Sequence, residues 1–407
     1  MVGMAALSLT ADDDWSAIAA HLPRDYARLA VDHKQLETQY GNAKITTAEC
    51  LLRFILLHVG ANLPLRQTVA LMAEAGAPSL SAMRLHMKMR RAAPYLQALV
   101  ERMVDWTTRA QPERWAGYSM VLIDGSTFCG PGATGTDARL HMKLRASDVA
   151  VLDAIVTDRH GGESLKRFLF KPGELVLADR LYSNPPHIAH VLEQGADVLV
   201  RYNRGALPLT SAGKPFDVFK ALRKLQGTDA TLDVGVCFEH GDELIRGRFI
   251  ATRLPEKEAQ KARKRLRKEQ GAKVSAESLE AASYVMLFTT VPSSRLSASK
   301  CLAAYRLRWQ IELQFKRWKS LCGFDRLPNY RDDTIVAWLY AKVLLGILLD
   351  RMGSIRGELS PPVLQPIPRA ARKPRRRRLA ADGAAAVEAH EHSLSSAARG
   401  AAASLSA

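Results

Sequence analysis

The stretch Tyr305–Lys319, YRLRWQIELQFKRWK, decides how the rest of the chain is read. It holds no Gly or Pro and is rich in helix formers, so the sequence predicts a helix. With Tyr305 at zero, Arg308, Glu312 and Lys319 fall at roughly 300°, 340° and 320° around that helix. Lys316 lies beside them, near roughly 20°. Leu307, Ile311, Phe315 and Trp318 gather on the adjoining face, between roughly 200° and 280°. A carboxylate among a phenol, a guanidinium and ammonium groups thus adjoins an apolar packing face. The plain alternative is a surface helix with ion pairs between residues four apart. Trp309, near roughly 40°, could stack on a base, but a packed indole is the reading preferred here.

Composition narrows the partner. The chain has 407 residues, 47% apolar and 24% charged, which is ordinary for globular domains. Its net charge of +17 is not ordinary and points to a polyanion, most simply nucleic acid. The five cysteines, Cys50, Cys129, Cys237, Cys301 and Cys322, form no CxxC pair. That argues against a disulfide framework and against a zinc site. No secretory signal is read at the N-terminus, and the apolar run Ala341–Leu349 is too short to span a bilayer. The expected location is cytoplasmic, at the nucleoid.

Residues 1–115 read as helical, with segments near Trp15–Leu29, Thr46–Val59 and Tyr95–Trp106. Thr47 is placed to cap the second, with Leu51, Leu52, Ile55 and Leu56 inside. Leu65–Ala75, a stop at Gly76 and a helix started by Ser79 or Ser81 outline a helix-turn-helix or a plain helical hairpin. The second helix would carry Arg84, His86, Lys88, Arg90 and Arg91. From about Ser119 the pattern changes to buried strands: SMVLI ending at Asp124, then Ala138–Leu144 and Val149–Thr157. A helix is expected within Gly162–Phe170. A strand ending at Asp179, a helix over Pro185–Gln194 and a strand over Asp197–Tyr202 follow, as in a mixed α/β sheet. Residues 204–283 hold a hairpin turning at HGD and a helix with Lys261, Arg263, Lys264, Arg265, Arg267 and Lys268. That helix is either a solvated face or a surface tracking phosphates. Residues 284–352 return to a strand, the Tyr305 helix and an apolar helix over Asp333–Arg351. Residues 353–407 are Pro-, Arg- and Ala-rich, so a disordered basic tail is expected there.

Asp124 and Asp179 each close an apolar run and precede residues typical of turns, GST and RLY. Carboxylates at the mouths of adjacent strands sit where ligands meet such sheets, and close together they repel unless a cation joins them. Hard oxygen ligands without a Cys/His cluster suit Mg²⁺ and disfavour zinc. Asp153 and Asp158 are rivals on the third strand but lack the same turn context.

The spacing Tyr305, two residues, Arg308, three residues, Glu312, six residues, Lys319 resembles the YREK signature of the IS-four family of DDE transposases. The resemblance extends over roughly residues 45 to 350, and DRLY at Asp179 is similar to that family's second acidic motif. It implies an RNase H-like α/β core with a β-rich insertion between the second Asp and the Glu, preceded by a helical region that recognises transposon ends. It implies Asp124, Asp179 and Glu312 as catalytic metal ligands for two ions, Mg²⁺ or Mn²⁺. Tyr305, Arg308 and Lys319 are then expected at the DNA, with Lys316 on the same face and Tyr182 at the matching tyrosine. The implied reaction is cleavage at insertion-sequence ends and transfer into target DNA, by a homodimer holding two double-stranded ends. Two rivals follow from the residues: a catalytically silent DNA-binding derivative acting as inhibitor, and a glycan-cleaving enzyme with paired carboxylates. The charge of +17 disfavours the second.

Overall fold

The computed structural model describes residues 12–37, 44–109, 114–225, 227, 230–271, 274–325, 327–328 and 332–355. The basic tail lies outside the described residues from 356 onward.

The chain opens with α1 (Asp12–Ala19) and α2 (Tyr26–Asp32), where one helical segment was expected. Pro23 intervenes; it lacks the amide hydrogen that a continuing helix needs. Next comes α3 (Ala48–Gly60), whose Thr47 side chain accepts from the Cys50 amide, with Leu51, Leu52, Ile55 and Leu56 fully buried. The helices α4 (Leu65–Glu74) and α5 (Ala82–Arg91) are joined through Gly76 at φ +82, and Ser81 caps α5. α6 (Ala93–Arg109) completes the helical region. Three basic residues of α5 are paired within the chain. Arg84 binds Glu37 at 2.7 Å, Lys88 donates to the Gln35 carbonyl at 2.7 Å, and Arg90 pairs with Asp333 at 2.7 Å. A recognition helix offering those three cations to DNA is not what this arrangement presents.

The strands β1 (Ser119–Phe128), β2 (Ala138–Arg145) and β3 (Val151–Asp158) form an antiparallel meander. Instead of the helix expected within Gly162–Phe170 there is one 3-10 turn, Leu165–Arg167. Then β4 (Glu174–Ala178), α7 (Pro185–Glu193) and β5 (Asp197–Arg201) follow. β4 lies parallel to β1 and β5 parallel to β4. The order 3-2-1-4-5, antiparallel then parallel, is the RNase H-like core that the resemblance implied.

Residues 204–283 extend the same sheet. They contain the short β6 (Thr210–Ser211) and β7 (Lys214–Pro215), α8 (Val218–Leu222), the long hairpin β8 (Thr231–His240) and β9 (Glu243–Arg253), α9 (Glu256–Gln270) and α10 (Ala276–Ala281). β10 (Tyr284–Thr289) then pairs antiparallel with both β5 and β9. The result is one ten-stranded sheet, 3-2-1-4-5-10-9-8-6-7. Gly247 allows this join: a Cβ there would meet the Phe288 ring at 2.3 Å. The chain ends its described part with α11 (Ala298–Tyr305), α12 (Trp309–Cys322) and α13 (Asp332–Ile355).

Candidate active site

The last parallel pair between β1 and β4 is Leu122 with Leu177. Asp124 and Asp179 each lie two residues further on, so they stand level at neighbouring strands, on the same side of the sheet. β4 stops at Ala178, and Asp179 starts a 3-10 turn over Arg180–Tyr182. β1 does not stop. Gly125, Ser126 and Thr127, expected to turn, stay in the strand and pair with His141, Leu140 and Arg139 of β2. Asp124 is therefore a mid-strand residue whose β4 neighbour has ended, which opens the sheet beside it.

The Asp124 carboxylate accepts from the Gly125 amide at 2.9 Å and is only 18% exposed. Burial pushes its carboxyl up to about 7; the charges of Glu163 and Asp179 add to this, while the Gly125 amide and Arg308 oppose it. A buried anion short of counter-charge is what a bound cation would relieve.

The helix expected over Tyr305–Lys319 is interrupted. Tyr305 ends α11, a 3-10 turn spans Arg306–Arg308, and α12 begins at Trp309. The polar residues still converge. Arg308 reaches Asp124 Oδ2 from Nη1 at 3.6 Å and donates from Nη2 to Glu312 Oε1. One guanidinium thus bridges the first acid and the third. Ile311, Phe315 and Trp318 are buried beneath them, as the helical spacing required, while Leu307 is only half-buried. Tyr305 donates to the Ala178 carbonyl at 3.3 Å, immediately before Asp179, and burial raises its phenol's pKa. Its hydroxyl braces the end of β4. Lys316 lies over the Trp309 ring at 4.3 Å, and Lys319 over the Phe128 ring at 5.5 Å. Trp309 is 48% exposed, against the packed indole preferred from sequence. Tyr182, expected at the DNA, is fully buried among apolar side chains and cannot touch a strand from there.

The rival acids are occupied locally. Asp153 on β3 faces Lys143 in register and accepts from the Ala154 amide. Asp158 accepts from the His160 and Gly161 amides in the turn after β3. Two other groups approach the site and were missed from sequence. Glu163 lies against Gly125, its Cγ and Oε1 both 3.2 Å from where a Cβ would be. Arg265 of α9 feels the charge of Glu312, after its own stronger pairing with Glu269. The only sequence signals were the glycine pair before Glu163 in HGGES and the density of cations in α9.

The donor set suits a hard divalent cation, being carboxylate oxygen without thiol or imidazole. Asp124 and Asp179 fit such an ion. Among the described residues, however, no three His, Cys, Asp or Glu side chains are gathered closely enough to hold a metal ion, and Glu312 is held by Arg308.

Fold and acids together point to a class, the polynucleotidyl transferases with an RNase H-like sheet and carboxylates where β4 ends beside β1. Residues 115–348 match the family model described as a transposase DDE domain. The chain is 32% identical over 358 residues to the transposase for insertion sequence element IS421 of Escherichia coli, covering 83% of this chain and 93% of that one. It is equally 32% identical over 357 residues to InsL of insertion sequence element IS186A from Escherichia coli (strain K12), with the same coverage. The transposase for insertion sequence element IS231F of Bacillus thuringiensis subsp. israelensis is 23% identical over 193 residues. Among solved structures, the piggyBac transposase synaptic complex with hairpin DNA aligns at a TM-score of 0.45 and 8% identity, over 88% of this chain and 76% of that one, a likeness too slight to carry an argument. The chain belongs to the DDE transposases of insertion sequences, of the IS-four type. It is accordingly a transposase acting on DNA, and the family implies use of a divalent metal.

Proposed function

We propose that Asp124, Asp179 and Glu312 are the catalytic acids of this transposase and hold two Mg²⁺ ions, or Mn²⁺ in their place. The observation that carries the proposal is the level placement of Asp124 and Asp179, with Arg308 of the 3-10 turn linking Asp124 to Glu312 of α12. When bound, the ions supply charge stabilisation at the attacking and leaving oxygens of an in-line phosphoryl transfer. First a water attacks a phosphorus at the element's end and the bond to the 3′ oxygen breaks, leaving a 3′ hydroxyl. That hydroxyl then attacks a phosphorus in target DNA, and a target 3′ oxygen leaves. Arg308 holds Glu312 in the absence of DNA; a phosphate arriving there competes for the guanidinium, and Glu312 is released toward Asp124. Tyr305 fixes the Ala178 carbonyl and so the position of Asp179. Lys316, Lys319 and exposed Trp309 line the approach and take the phosphate backbone and a base face.

The larger organisation is inferred in the same way. Residues 1–115 recognise transposon ends, 116–203 and 284–352 form the two parts of the catalytic core, 204–283 form the inserted sheet extension, and 353–407 add basic charge. Two copies hold two ends in a synaptic homodimer, in the cytoplasm at the nucleoid. No helix among the described residues is long and apolar enough to cross a membrane. A silent, inhibitory derivative is not favoured, because all three acids are present. The test is strand nicking of DNA carrying the element's ends with Mg²⁺. The parent chain is expected to nick it, and Asp124→Asn and Asp179→Asn to bind it without nicking. Nicking retained by either variant would overturn the assignment.

A further inference from the structure

Glu163 is absorbed by none of the roles above, yet the fold delivers it beside Asp124 and the end of β4. The turn after β3 closes tightly: a Cβ on Gly161 would sit 2.2 Å from Thr157 Oγ1, so only glycine fits. That turn carries the chain back across β2 toward β1. There Gly125 offers no side chain, and Glu163 occupies the vacated space. Gly125 and Asp124 point to opposite faces of β1. Glu163 therefore arrives from the face opposite α12, where β4 has already ended. Its charge acts on Asp124, and the charge of Asp179 acts on it. Among the described residues its carboxylate makes no hydrogen bond or ion pair, although Arg139 acts on it electrostatically. Glu312, by contrast, is held by Arg308.

A second observation points to a ligand at the same place. Tyr182 is fully buried, and its hydroxyl has no hydrogen-bond partner. After burial, the charges that act on that phenol most are those of Glu163, Asp124 and Asp179, which sets the unpartnered hydroxyl beside this cluster. An unsatisfied buried hydroxyl is costly, and a carboxylate drawn toward a cation would relieve that cost by accepting from it.

We propose that Glu163 is a fourth acidic ligand of the divalent cation, entering through the gap left by Gly125 and steadied there by the Tyr182 hydroxyl. The inference rests on Asp124 and Asp179 being cation ligands. The three carboxylates are not gathered beforehand, and ion binding draws Glu163 in. Mutating even a group that only hydrogen-bonds a metal's ligand commonly changes affinity about 10–100-fold, and a direct ligand is expected to do at least as much.

The test is Mn²⁺ binding to the full chain without DNA, by calorimetry and by electron paramagnetic resonance. Glu163→Gln keeps the side chain's size and is expected to weaken Mn²⁺ binding about tenfold or more, while Glu258→Gln on exposed α9 changes it less than twofold. Should Glu163→Gln fail to fold, Gly125→Val closes the gap with Glu163 retained and is expected to weaken binding similarly. Binding within twofold of the parent in Glu163→Gln, or in Gly125→Val where that stands in for it, would overturn the inference, provided Asp124→Asn abolishes it. If Asp124→Asn binds Mn²⁺ like the parent, the aspartate reading fails and takes this one with it.

Discussion

Asp124 carries a charge that the fold opposes, and this has a measurable sign. Its carboxyl stands at about 7 in the folded chain against an ordinary 3.8. The folded state therefore holds the proton more tightly than the unfolded state, and stability falls as pH rises through that interval. The loss amounts to about 4 kcal/mol at most, from about 1.36 kcal/mol per tenfold change in proton affinity. In metal-free protein, the melting temperature is expected to decline between pH 4 and pH 7. Asp124→Asn should remove most of that decline and melt higher than the parent at pH 8. A flat profile in the parent would contradict the burial argument. Glu312→Gln should abolish end cleavage with end binding within about threefold of the parent, measured by gel shift; lost binding would make Glu312 structural instead. At this scale the sequence was informative for acids and cations and silent about occupancy. The pairing of Arg308 with Glu312 was within reach of the four-residue spacing, but nothing in it told that Arg308 would also reach Asp124 or that Tyr305 would brace Ala178. Glu163 was illegible because its approach depends on a glycine 38 positions earlier, in a different strand.

Among the elements, α12 matters most, because it carries Glu312 and leans on α13. The two cross at Gly346, where a Cβ would lie 2.5 Å from the Trp318 indole. Asp350 of α13 accepts from Gln314 and from the Trp318 indole at 3.1 Å and pairs with Arg317 at 3.0 Å. Gly346→Ala is therefore expected to cost about 1–3 kcal/mol in urea unfolding, as overpacking does, and to depress nicking in the same preparation. Unchanged stability would mean that α12 is not seated on α13 in this way. The packing face of α12 was readable from its period, since Ile311, Phe315 and Trp318 are buried. The break after Tyr305 was not, because a 3-10 turn needs no Gly or Pro to announce it. The extent of β1 was misjudged for a related reason. GST resembles a turn, but β2 runs alongside and keeps those residues paired.

At the scale of the whole molecule, the net charge of +17 is a statement about DNA, and its distribution gives the statement detail. In α9, Lys261, Arg263 and Arg265 pair with acids of the same helix, while Lys264, Arg267 and Lys268 are exposed. Arg265 of α9 senses the charge of Glu312. Lys264→Ala with Lys268→Ala is expected to reduce the slope of log affinity against log salt by about 2, leaving circular dichroism unchanged. An unchanged slope would return α9 to a solvated face. The alternation of apolar runs gave a mixed α/β sheet and the family resemblance gave its RNase H-like core, yet neither showed the fusion of residues 204–283 into the same sheet. Strand partners across such distances are set by packing at Gly247 and Phe288, which periodicity does not display. The proposed chemistry depends on cations lying where Asp124, the end of β4 and α12 meet. The direct measurement is anomalous diffraction at the manganese edge from crystals of the chain bound to end DNA. Peaks touching Asp124 together with Asp179, and Asp124 together with Glu312, are predicted; manganese bound elsewhere, with these carboxylates bare, would contradict it.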